Sequence, residues 1–184
     1  LSGDALQAFA FEWLSEPIEG LRADQQLKLI KVLSVAAGSR GMVGGQAIDL
    51  ASVGLALQEQ ALETMHAHKT GALISACVMM PSYCSDSVDE KQRELLQRYA
   101  DAIGLAFQVQ DDILDVESDT DTLGKQQGAD IAANKPTYPS ILGMAGAKEK
   151  LRLLHQESLA ALDDFGQEAD LLRNIAQFIV QRIK

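Results

Sequence analysis

At 184 residues the chain is long enough for one domain with a sizeable core, and its 47% apolar content is ordinary for a globular protein. A net charge of −10 argues against nucleic acid and anionic membrane surfaces as partners. No apolar run approaches the roughly 18 residues of a membrane span, and no signal-peptide pattern is present.

The chain begins at Leu1 without a methionine, and helix-like sequence starts at once. This reads as a piece of a longer protein or as a processed chain. The only cysteines, Cys77 and Cys84, are seven apart and form no CxxC motif. They are expected to be reduced thiols of a cytoplasmic protein.

Ser2 can cap a first helix, with Asp4 in the first turn and Leu6, Phe9, Ala10, Trp13 and Leu14 at helical spacing. Pro17 and Gly20 mark its end. A second helix is predicted from about Asp24, with Leu27, Ile30, Leu33 and Ala37 on one stripe. It is expected to continue through the glycine-rich stretch from Gly38 to Leu50, its glycines admitting a close neighbour. That continuation puts Gln46 and Asp49 one turn apart on a common face. The glycine spacing is not GxGxxG and no strand precedes it, so a dinucleotide site is not indicated.

A third helix is predicted from about Gln58 to Met80, carrying Leu62, Met65, Lys69, Leu73 and Cys77. His66 and His68 are two apart and face different directions, which disfavours a zinc site. Lys69-Thr70-Gly71 interrupts the apolar pattern; Lys69 is either a surface lysine with a buried stem or a phosphate ligand. After a serine-rich loop, a long helix is predicted from about Asp89 to about Glu117.

That helix contains Gln108, Asp111, Asp112 and Asp115 inside an otherwise apolar segment. With Gln108 at zero, the three carboxylates fall at about 300°, 40° and 340°, on one face roughly 100° wide. Like charges one turn apart destabilise a bare helix by a few tenths of a kcal/mol, roughly, so a cation is expected to offset them. Mg²⁺ prefers such oxygen ligands and bridges to substrate phosphates. The bland alternative is a solvated acidic face.

Residues 119–136 are polar and irregular in pattern and contain Lys125 and Lys135. A long connection of this kind inside a compact domain is usually functional or disordered. Its lysines follow the acidic face directly and can fold back over an anion held there. Two further helices are predicted, from about Ala145 to Phe165 through Leu151, Leu154, Ser158, Leu162 and Phe165, and from about Glu168 to Ile183 through Leu171, Ile175, Phe178, Ile179 and Ile183. The class is all-α in a single domain. Carboxylates with lysines point to metal-bridged phosphate, and no nucleophile–base pair is evident. An apolar helical scaffold then favours a substrate with a charged head and a greasy body.

Six segments, in order, carry a resemblance: Gly3-Asp4-Ala5-Leu6-Gln7, Gly44-Gly45-Gln46-Ala47-Ile48-Asp49-Leu50, His68-Lys69-Thr70-Gly71-Ala72-Leu73, the run from Gly104 to Asp115, Leu123-Gly124-Lys125, and Asn134-Lys135-Pro136-Thr137-Tyr138-Pro139. The chain resembles the trans-isoprenyl diphosphate synthase family, and within it the bacterial farnesyl diphosphate synthases. The resemblance implies an isoprenoid-synthase-type helical bundle without its N-terminal helices, with residues 1–184 as the C-terminal portion of a polyprenyl synthase domain.

By that resemblance, Asp111, Asp112 and Asp115 form the second aspartate-rich motif and bind Mg²⁺, with Mn²⁺ as a substitute. Lys69 and Lys125 contact the allylic diphosphate, and Lys135 lies near it. Thr70 and Gln108 lie beside the developing allylic cation, and Gln46 and Asp49 line the cavity. The implied reaction joins an allylic diphosphate (dimethylallyl or geranyl) to isopentenyl diphosphate, giving farnesyl diphosphate. Alternatives are a geranylgeranyl or longer-chain product, or a non-catalytic partner subunit of the same fold. The family's first aspartate-rich motif and its isopentenyl diphosphate site have no counterpart in the sequence and are expected before Leu1. The 184 residues alone are therefore expected not to catalyse, and to expose apolar surface. Family members are usually homodimers, with the first two helices as candidate interface.

Overall fold

A computed structural model describes residues 1–117 and 136–183. The described residues are helical, with no strand among them: α1 (Ser2–Ser15), α2 (Ala23–Ala37), α3 (Met42–Ala51), α4 (Glu59–His66), a π-helical turn (Ala67–Gly71), α5 (Ala72–Ser82), α6 (Glu90–Glu117), α7 (Tyr138–Ala160), a short 3₁₀ turn (Gln167–Ala169) and α8 (Asp170–Gln181). None is long and apolar enough to cross a membrane.

α6 is the axis of the bundle. Its 28 residues run about 42 Å, and it packs against α5, the π turn, α7 and α8. It can hold that place because its apolar residues are not confined to one narrow stripe. Tyr99, Ile103, Ala106, Val109 and Ile113 enter the main core, where Leu151, Leu154, Ala161 and Leu162 meet them from α7 and its extension. Leu62, Met65 and Tyr138 close the same core from α4 and the start of α7. Each fully buried side chain of this size contributes roughly 1.5–3 kcal/mol over leaving it in water.

The second helix does not continue through the glycine-rich stretch as expected. α2 stops at Ala37, where the Gly38 N–H closes on Ser34 O at 3.1 Å, and α3 restarts at Met42. The backbone turns so tightly there that a Cβ on Gly41 would sit 2.1 Å from Ala36 O. Glycine there serves a turn, whereas Gly45, one turn into α3, serves helix packing. The third predicted helix is likewise interrupted, since the π turn at Ala67–Gly71 separates α4 from α5. The helix expected from Ala145 begins earlier, at Tyr138. Thr137 caps it by accepting from Ser140 N, and Ser140 Oγ accepts from Thr137 N in return. Gly143, at φ +70°, kinks it.

α1 buries nothing fully: Leu6, Phe9 and Trp13 remain 66%, 45% and 68% exposed, although the helix rests on α2. α8 buries Ala176 and Ile179, while Leu171 and Phe178, expected on its inner stripe, lie outside.

Tyr99 joins the two central layers. It is fully buried, and its hydroxyl donates to Leu172 O in α8 at 2.7 Å. Burial pushes its pKa up to about 12. The native state therefore holds this proton after the unfolded chain has released it near pH 10, and stability falls as pH rises from 10 towards 12. Tyr99→Phe is expected to lose about 1 kcal/mol at neutral pH and to flatten that alkaline limb. Urea unfolding of both proteins at pH 7 and between pH 10 and 12 measures the two effects.

Candidate functional site

The π turn sets the site. A turn of this kind holds one more residue than an α-helical turn and occurs often at functional positions. Here it carries His68, Lys69, Thr70 and Gly71. α3 lies directly across it: a Cβ on Gly45 would stand 2.1 Å from Lys69 N and 2.5 Å from Lys69 Cα. This contact brings Asp49, one turn further along α3, to the Lys69 ammonium. Lys69 Nζ donates to Asp49 Oδ2 at 2.6 Å, with the carboxylate side chain 7% exposed. On the α6 side, the Thr70 hydroxyl donates to Gln108 Oε1 at 2.6 Å. Gly71 and Gly104 let the π turn and α6 approach closely at the next position.

Beyond Gln108 the aspartates divide by depth. Asp111 is partly exposed, and Arg182 Nη2 donates to its Oδ1 at 2.6 Å. Asp112 is buried, and its Oδ2 accepts the Tyr138 backbone N–H at 2.9 Å, tying α6 to the start of α7. Asp115, one turn on, is 2% exposed. The acidic face is thus no solvated stripe.

A cavity of about 230 Å³ opens among these groups, lined by Asp49, Met65, His66, Lys69, Gln108, Asp111, Asp112, Pro136 and Thr137. His66 is buried and stacks on Tyr138, ring centroids 5.8 Å apart. The Tyr138 hydroxyl has its pKa raised by burial, and further by the negative charges of Glu63, Asp112 and Glu59. Lys150 answers two of those charges. Burial lowers its pKa, but hydrogen bonds to Glu63 and Glu59 outweigh this and hold it above the usual lysine value.

Of the residues singled out in the sequence, Lys69, Asp49, Gln108, Asp111 and Asp112 share this cavity, and Thr70 is bonded to one of them. Gln46 is exposed on α3 and is not one of its walls. Asp115 is buried one turn below. Lys125 and Lys135 lie outside the described residues. Sequence reasoning missed Arg182, His66 and the Tyr138 N–H. The Thr137–Ser140 pair was a readable helix-start signal, but Arg182 had none, since its partner is 71 positions away.

Among the described residues no three His, Cys, Asp or Glu side chains converge on one point. Asp111 and Asp112, which line the cavity, nonetheless suit Mg²⁺ by donor type. That ion is ordinarily held by one or two carboxylates, waters and substrate phosphates rather than by a closed protein cage.

Comparison with known proteins fits this geometry. The family model described as polyprenyl synthetase matches residues 1–176. The farnesyl diphosphate synthase of Haemophilus influenzae is 45% identical over 183 residues, covering 99% of this chain and 61% of that protein. An FPP/GFPP synthase structure from Zymomonas mobilis superposes with a TM-score of 0.84 at 40% identity, covering 98% of this chain and 60% of the other. The Helicobacter pylori geranyltransferase complexed with magnesium and isoprenyl diphosphate has a TM-score of 0.81 at 35% identity, covering 97% and 57%. The chain spans about three-fifths of the length of these relatives. Agreement of sequence and fold over nearly all of its own length places it in the polyprenyl synthetase family.

Proposed function

We propose that this chain is the C-terminal part of a prenyl diphosphate synthase that condenses an allylic diphosphate with isopentenyl diphosphate to give farnesyl diphosphate. The observation that carries the reading is the cavity shared by Lys69, Gln108, Asp111 and Asp112, where one cation from the π turn meets two carboxylates from α6. Asp111, Asp112 and Asp115 would hold Mg²⁺ or Mn²⁺, which when bound supplies charge neutralisation for a departing diphosphate. Lys69 presents an ammonium to the same anion, and its bond to Asp49 keeps the head aimed into the cavity. The Thr70 and Gln108 oxygens, 2.6 Å apart, set two fixed dipoles beside the reacting carbon. Lys125 and Lys135 are assigned to the diphosphate on sequence resemblance alone.

Support for the greasy body of the substrate comes from a second cavity of about 400 Å³ that starts at His68 and Gly71 and has Val32, Val35, Ala72 and Met79 among its walls. The working protein is proposed to be a cytoplasmic homodimer. The exposed Leu6, Phe9 and Trp13 of α1 are a face that a second copy would cover.

Mn²⁺ binding, followed by electron paramagnetic resonance with geranyl diphosphate present, tests the site. Saturable binding is expected, weakened at least tenfold in Asp111→Ala and in Asp112→Ala, about 1.4 kcal/mol or more each. Undiminished binding in both variants would exclude these carboxylates as ligands.

A further inference from the structure

The contact of Arg182 with Asp111 has a role that the metal reading alone does not supply. Arg182 follows α8 directly, in an extended conformation at φ −60°, ψ 146°. Its guanidinium donates to Asp111 Oδ1 at 2.6 Å and to Phe107 O at 3.0 Å, and it stacks over the Phe107 ring at 4.1 Å. Its own carbonyl accepts from Gln110 Nε2 at 2.8 Å. The side chain is 11% exposed. One residue therefore clasps a single stretch of α6 through its charge, its planar face and its backbone.

We propose that Arg182 is the built-in counter-charge of Asp111 in the metal-free protein, and that metal binding displaces it. The proposal rests on Asp111 being a metal ligand. A Mg²⁺–oxygen bond is about 2.0–2.1 Å long. An ion that close to Asp111 would stand beside the guanidinium, and like charges at such separation in a partly buried site repel strongly. The carboxylate then exchanges one cation for another. The end of α8 loses its ionic anchor on α6 when that happens, and keeps it when the site is empty. The arrangement accounts for a largely covered arginine just past the end of α8. It also gives the acidic α6 face a counter-charge before metal arrives: among the described residues, Arg182 is the cation paired with Asp111 Oδ1.

The chain itself tests this, with Mn²⁺ and geranyl diphosphate as the probe. Arg182→Gln is expected to bind Mn²⁺ at least threefold more tightly than the parent, because the competing cation is gone. Arg182→Lys keeps the charge and should stay near the parent value. Thermal unfolding supplies the second readout. Arg182→Gln should melt below the parent without metal, and that gap should narrow as Mn²⁺ is added. Equal or weaker Mn²⁺ binding in Arg182→Gln, while Asp111→Ala still weakens it, would overturn the exchange and leave the metal assignment standing. If Asp111→Ala leaves Mn²⁺ binding unchanged, the metal assignment falls, and the exchange falls with it.

Discussion

Gly45→Ala is expected to cost about 3 kcal/mol and to lower the melting temperature by roughly 6–12 °C. The new Cβ would meet Lys69 N at 2.1 Å, Lys69 Cα at 2.5 Å and the His68 carbonyl carbon at 2.7 Å. All three are backbone atoms, so no side chain can rotate away to make room. Either α3 or the π turn must move, and both carry site residues. Diphosphate binding should therefore weaken along with stability. Gly3→Ala is the control: nothing lies within 4 Å of a Cβ there, and it sits in an exposed helix where alanine is the better helix former. It should be neutral or slightly stabilising. Urea unfolding of the three proteins decides the matter, and a Gly45→Ala protein within 0.5 kcal/mol or so of the parent would refute the close packing.

Lys69→Met is expected to cost about 2–3 kcal/mol of folding stability with no ligand present. A lysine that served only to bind substrate would cost nothing in that experiment. The loss arises because Asp49, its side chain 7% exposed, keeps its charge while losing the ammonium 2.6 Å away. Stranding one member of a buried pair costs about 3–5 kcal/mol. The value here is lower because the Lys69 side chain is 28% exposed and water replaces part of the interaction. The double change Asp49→Asn with Lys69→Met should recover much of the stability and none of the affinity for geranyl diphosphate. A coupling energy of roughly 1 kcal/mol or more from the four-protein cycle would separate the two roles of Lys69. Additive single effects would mean that the pair contributes nothing.

The parts of the fold that were legible in the sequence are those whose signal is local. α6 was bounded within a residue because a long apolar pattern runs unbroken between the Asp89 start signal and the polar stretch after Glu117. The shared face of Gln108, Asp111 and Asp112 follows from helical geometry once that element is recognised. The inner positions of α7 and its extension, Leu151, Leu154, Ser158 and Leu162, were readable for the same reason. What escaped depends on partners far away in sequence. The end of α2 at Ala37 reflects a tight backbone turn that helical propensity does not encode. Arg182 reads as an ordinary basic residue at a helix end until α6 is placed beside it. On α8 the expected stripe held Ile179, which is buried, but also Leu171 and Phe178, which are as apolar yet exposed, and only the packing of α6 and α7 chooses between them.

The π turn between α4 and α5 also settles which residues of α5 belong to the core. In an unbroken α-helix, Met65 and Ala76 are eleven positions apart and would point the same way to within about 20°. The wide turn takes up one extra residue and so rotates everything after it by roughly 100°. Ile74 and Val78 swing onto the core that Leu62 and Met65 enter, while Ala76 and Met79 turn to the groove facing α2. The five residues therefore act as a phase shifter between two amphipathic helices written in different registers. Relatives that lack or gain one residue here would be expected to exchange core and groove positions throughout α5. The length of this turn should accordingly tolerate change far less well than its sequence.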